Sequence, residues 1–132
     1  MKDIILDQYQ NNVNECLVRN KGILDILSKL TETEAMLTRA VCRSVTSCGC
    51  IEIHATKQVY NYGSDDIDLL TESVSNHLSG KLCPKCREAI ESEVGSSIFY
   101  LTCLCNLLDI NLYDIILKEN DNILTLGKFT LR

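Results

Sequence analysis

Two close cysteine pairs carry the most legible chemistry in this chain. Cys48-Gly49-Cys50 is a CxC, and Cys83-Pro84-Lys85-Cys86 is a CxxC. Four thiolates in a tetrahedron make the usual closed structural zinc site, in which every ligand position is filled by protein. The 32 residues between the pairs are enough for a loop and one helix that return the chain to its starting corner. A zinc ion so held contributes on the order of 10 kcal/mol of apparent folding free energy, which would hold down a loop-rich middle. His54, four residues after Cys50, and His77, six before Cys83, are substitute ligands. Four thiolates also hold iron–sulfur clusters. A redox CxxC is a third reading, but it wants a βαβ context that this sequence lacks. Plain burial competes with all of these, because free cysteine is among the most buried residue types. Cys16, Cys42, Cys103 and Cys105 fall inside helical stretches and read as core residues.

The elements that must position these thiols are helical. Pro84 suits a first helical position, since its φ is preset and its missing N–H would be unpaired there anyway. From it, Ile90, Val94, Ser97, Leu101, Leu104 or Cys105, and Leu108 recur at spacings of three and four, one face of a helix. The second half, Ile98 to Leu108, is apolar on nearly every side, so it needs several neighbours, some of them from a second subunit. Upstream, Ile23, Ile26, Leu27, Leu30, Leu37, Val41 and Val45 mark a helix from Ile23 to about Val45, with Glu34 at the rim of its inward face. Residues 2–18 form a first helix through Ile5, Tyr9, Val13 and Leu17, and Asn20-Lys21-Gly22 breaks it. After Gly49, Ile51 to Ala55 alternates as a short strand, and Gln58 to Gly63 is a loop. Asp65 to Leu78 reads as a helix capped by Ser64 or Asp65 and stopped by Gly80. Asp109-Ile110-Asn111 breaks the main helix, Asn111 caps a last one from Leu112 to about Glu119, and the tail from Ile123 to Arg132 is extended.

Composition sets the class. The chain of 132 residues is one domain. Aromatic residues make up only 5% and Trp is absent, so Leu and Ile must fill the interior. A net charge of −5 without a basic run argues against a nucleic-acid surface. The longest apolar stretch is too short to span a bilayer, and the acids in Met1-Lys2-Asp3-Ile4-Ile5-Leu6-Asp7 interrupt what would be a signal peptide. The expectation is a cytoplasmic protein, whose eight cysteines are then thiols or metal ligands rather than disulfides.

Glu91-Ser92-Glu93-Val94-Gly95-Ser96-Ser97-Ile98-Phe99-Tyr100-Leu101 and, further on, Leu107-Leu108-Asp109-Ile110-Asn111-Leu112 resemble the MazG-like all-α nucleoside triphosphate pyrophosphohydrolases over about residues 90–123. That family has an ExxD pair on a helix, an apolar run, and a short turn into another helix. The resemblance implies an all-α, MazG-like bundle over residues 1–132 with a Cys-rich insertion at about 46–86, assembled as a homodimer or homotetramer. It also implies Mg²⁺ held by carboxylates, where hard oxygen ligands bridge to substrate phosphates. Glu93 matches the Glu of ExxD, but Ser96 stands where the Asp should be. The family's EExxE is missing: Leu70 to His77 holds one Glu, and Glu32 and Glu34 lie on another helix outside that motif.

Three functions follow as expectations. In the first, the chain is a non-catalytic, oligomeric relative that binds zinc through Cys48, Cys50, Cys83 and Cys86 and acts through binding, with a nucleotide as one candidate ligand. In the second, it is an active Mg-dependent pyrophosphohydrolase with a rearranged site built from Glu93, Glu91 and Glu34. In the third, the thiolates themselves serve as a redox or metal sensor.

Overall fold

A computed structural model of the chain describes residues 2–60 and 67–127. Among these are five α-helices and one small antiparallel sheet: α1 Lys2–Cys16, α2 Ile23–Arg43, α3 Ile67–Ser73, α4 Pro84–Leu107 and α5 Leu112–Leu126, with β1 Ile51–Ile53 and β2 Leu78–Gly80. The expected helical class holds at the level of a mostly helical chain, to which the middle adds one small two-stranded pair.

The two longest helices, α2 and α4, make the most extensive contact in the molecule, and α1 packs on both α4 and α5. Val13 of α1, Ile26 of α2 and Cys103 of α4 are buried together, with Tyr9, Leu17, Phe99, Tyr100 and Leu104 around them. The Phe99 and Tyr100 rings meet edge to face at 5.1 Å. Thr33, Ser44 and Thr102 are also buried. Each hydroxyl donates to a carbonyl of its own helix or turn, Leu30 O at 2.8 Å, Ala40 O at 3.1 Å and Ile98 O at 2.6 Å, so all three of these hydroxyls are satisfied.

The face of α2 that turns inward is thus Ile26, Leu30, Thr33, Leu37, Ala40 and Ser44, rotated from the one that apolar residues alone suggest. Leu27 and Val41 are 43% and 39% exposed. Glu34 is fully on the outside rather than at a buried rim.

Gln10 stitches α1 to the turn between α4 and α5. Its Nε2 donates to Ile110 O at 2.8 Å, and its Oε1 accepts from the Leu112 N–H at 2.8 Å. Asn106 Nδ2 donates to the Gln10 carbonyl at 3.1 Å. The turn itself holds Asp109 in the left-handed region at φ 55°, and the chain bends by 108° into α5.

Two expected boundaries and two expected core residues change. The helix read as Asp65 to Leu78 ends at Ser73, because Leu78 is drawn into pairing with Ile53 and Asn76 Oδ1 accepts from the Leu78 N–H at 2.9 Å. Its proposed caps, Ser64 and Asp65, lie outside the described residues, as do 61–63 of the expected loop and 128–132 of the tail. The last helix runs to Leu126, through Asn120-Asp121-Asn122. Each such residue costs only about 0.7 kcal/mol or less in a helix interior, too little to stop one already capped by Asn111, whose Oδ1 accepts from the Asp114 N–H at 3.0 Å. Finally, Cys103 and Cys105 are buried as expected, but Cys16 and Cys42 are exposed, because they fall on the outer faces of α1 and α2.

Among the described residues no single helix is long and apolar enough to cross a membrane.

Candidate metal centre

Each cysteine pair sits where a helix meets the small sheet. At the end of α2 the chain widens into a π-helical turn, Ser44–Cys48. Its closing bond runs from the Gly49 N–H to Ser44 O at 2.9 Å. Gly49 then adopts φ 76°, a left-handed conformation that glycine takes without penalty. The wide turn and the reversal together leave Cys48 and Cys50 on one side of the corner, with Cys50 Sγ 3.8 Å from Ser44 O.

The hairpin brings the second pair to the first. Ile51 pairs with Gly80, Glu52 with Ser79 and Ile53 with Leu78. The His54 N–H extends the ladder to His77 O at 2.8 Å. Beyond it the Gln58 amide mimics another rung, donating to Ser75 O at 2.6 Å and accepting from the Ser75 N–H at 3.0 Å. Gly80 is a fixed requirement of this approach. Its φ is 87°, and a Cβ there would lie 2.6 Å from Cys50 O. Three residues later Cys83 is the N-cap of α4. Its Sγ accepts from the Cys86 N–H at 3.4 Å, with Pro84 in the first turn as the sequence predicts.

The outcome is one cluster. The Sγ atoms of Cys48, Cys50, Cys83 and Cys86 all lie within 4.8 Å of one another, so these four residues can hold a metal ion. A tetrahedral site with Zn–S bonds of about 2.3 Å has S···S edges of about 3.8 Å, and Cys48 Sγ to Cys83 Sγ is 3.8 Å. That is far beyond the roughly 2.05 Å of a disulfide. Cys48 is exposed and the other three are half-buried. The thiols are electrostatically unequal. Hydrogen bonds from the Cys86 backbone N–H and then from the Cys86 side chain pull Cys83 down to about 7. Its bond to Cys83, and then burial, push Cys86 up to about 12. Cys48 is raised as well.

Neither histidine joins this cluster. His54 Nε2 is 3.1 Å from Glu52 Oε2. His77 sits at φ 59°, and its Nε2 is buried with no hydrogen-bond partner.

The carboxylates of interest are dispersed. Glu34 and Glu91 are exposed, with Glu91 4.0 Å from Arg87, while Glu93 is half-buried on a groove between α2 and α4. Among the described residues the four cysteines are the only group of three or more Cys, His, Asp or Glu within ligand reach of one another. The π-helical turn and the β2 strand that completes the hairpin leave no periodic signal in the sequence.

No family model, no curated protein and no solved structure matches this chain.

Proposed function

We propose that this chain is a non-catalytic relative of the MazG-like helical proteins, stapled by one zinc ion on Cys48, Cys50, Cys83 and Cys86 and working through binding as a homodimer or homotetramer. The observation that carries the metal reading is the mutual approach of the four Sγ atoms within 4.8 Å. A single ion suits that spacing. A multi-iron cluster spreads its four thiolates further apart, because they are divided among two or four irons. Mononuclear iron would fit the same tetrahedron, and zinc is preferred because it brings no redox chemistry to a site that closes a fold. Free thiols in this number also suit a reducing compartment such as the cytoplasm.

The non-catalytic part draws support from chemistry at α4. Ser96, a neutral hydroxyl, takes the place of the second acid of ExxD, and Mg²⁺ prefers charged oxygen ligands. Glu34, Glu91 and Glu93 lie apart from one another rather than around a common point. The oligomer is supported by apolar side chains that α4 leaves outside: Val94, Ile98, Leu101 and Leu108 are each between 39% and 55% exposed.

Elemental analysis of freshly purified protein tests the first claim. One zinc per chain and no visible absorbance is expected, and a brown or red protein rich in iron would overturn zinc. Incubation with nucleoside triphosphates and Mg²⁺ tests the second. Pyrophosphate release that Glu93→Gln abolishes would show an enzyme.

A further inference from the structure

The groove between the C-terminal half of α2 and the N-terminal half of α4 has a cavity volume of about 770 Å³. That is in the range of sites for small organic molecules, roughly 300–1,000 Å³, and larger than a bare ion needs. Helical spacing builds it. Met36, Arg39, Ala40 and Arg43 recur at three and four residues along α2, and Lys85, Ala89 and Glu93 do the same along α4. Three of these are cations, in a protein of net charge −5. Among the described residues the ion pairs are Lys29–Glu32, His54–Glu52 and Arg87–Glu91, so Arg39, Arg43 and Lys85 have no carboxylate within 4.0 Å.

We propose that this groove binds a phosphate monoester with a small apolar or aromatic body, its phosphate held by Arg39 and Arg43 with Lys85. Guanidinium forks match phosphate oxygens and do so without a divalent ion. Met36, Ala40 and Ala89 give the body an apolar wall, and the Glu93 carboxylate at the α4 side accepts from a donor on that body while turning away a second anionic group. Cys48 and Cys86 also line the groove, so a tetrathiolate metal centre would offset part of the positive charge at that end. The inference gives the binding role proposed above its ligand class. Its failure is separable, because metal content and ligand affinity are read independently.

Metal-loaded protein in magnesium-free buffer is titrated with inorganic phosphate and with phenyl phosphate, by calorimetry and by methyl spectra. Phenyl phosphate is expected to bind at least about tenfold more tightly than inorganic phosphate and to weaken as salt is raised. The double variant Arg39→Gln/Arg43→Gln is expected to lose about tenfold or more in affinity at unchanged zinc content. Arg87→Gln, outside the groove lining, is expected to bind as the wild type does. The chain has two methionines, so the Met36 methyl signal gives a check on the wild-type protein itself: it must move with phenyl phosphate. Equal affinity for the two probes, a stationary Met36 methyl, or unchanged binding by the double variant would each overturn the site.

Discussion

Within the cysteine cluster, Cys83 and Cys86 are three residues apart in sequence and lie at opposite ends of the thiol range, because the Cys86 N–H and thiol both serve the Cys83 sulfur. The sign of the shift fixes a measurable order. Below about pH 7 Cys83 is a thiol, and above it a thiolate, while Cys86 stays protonated up to about 12. In metal-stripped, reduced protein, iodoacetamide should therefore label Cys83 at a rate that rises through pH 7 and then levels off, whereas an ordinary thiol is still gaining reactivity near pH 8.5. Peptide mapping checks this, and labelling of Cys86 before Cys83 would contradict it. Replacing any one of Cys48, Cys50, Cys83 or Cys86 by Ser should lower zinc from about one ion per chain to near none, since a hydroxyl is a poor substitute for a thiolate at such a site. Gly80→Ala tests the corner without touching a sulfur. The left-handed φ costs about 1–2 kcal/mol, and the Cβ meets Cys50 O, so the melting temperature should fall by several degrees and metal binding should weaken with it.

The starts of α4 and α5 show why some element boundaries could be read from the chain. Pro84 and Asn111 act through bonds to residues at most three positions away: Pro84 presets φ, and Asn111 accepts from Asp114. Asn111 does more, because its Nδ2 also donates to Asp7 Oδ1 at 3.2 Å and so joins α1 to the start of α5. Asn111→Ala should cost about 1–2 kcal/mol, the upper part of the range for lost N-caps, measured by chemical denaturation. Asn111→Asp, which keeps the cap but brings an acid against Asp7, should recover only part of that. Helix α3 fails the same test of locality. Its pattern of Ile67, Leu70, Val74 and Leu78 is helical to the end, yet Leu78 is taken by Ile53 of β1, 25 residues upstream, in a pairing that local spacing cannot announce.

At the scale of the whole molecule, the described helices leave many apolar side chains uncovered. The α2 residues Ile23, Leu24 and Leu27, the α4 residues Val94, Ile98 and Leu101, and the α5 residues Ile115, Ile116 and Leu117 are all more than a third exposed. Covering them is worth about 25 cal/mol per Å² of apolar area, which is the free energy the proposed assembly would draw on. Light scattering after gel filtration should give a dimer or larger. Ile98→Glu with Leu101→Glu should shift the mass toward the monomer while leaving zinc content unchanged, and a wild-type monomer at micromolar concentration would refute the assembly.

The sequence by itself determined the helices whose faces and caps are written in neighbouring residues, the breaks at Asn20 to Gly22 and at Asp109, and the two cysteine pairs as a candidate ligand set. These are local properties, settled by periodicity and by side chains reaching three or four residues. Only the tertiary structure decided that the two pairs share one point. A π-helical turn after Arg43, a left-handed Gly49 and a hairpin closed against Gly80 had to act together, and none of them has a spacing of its own. It decided the inward face of α2 as well, where Thr33 and Ser44 displaced Leu27 and Val41. Their hydroxyls are satisfied by their own helix, and α4 packs against them. The same packing set Arg39, Arg43 and Lys85 around one groove, from two helices whose charges, read along the chain, look like ordinary solvated faces.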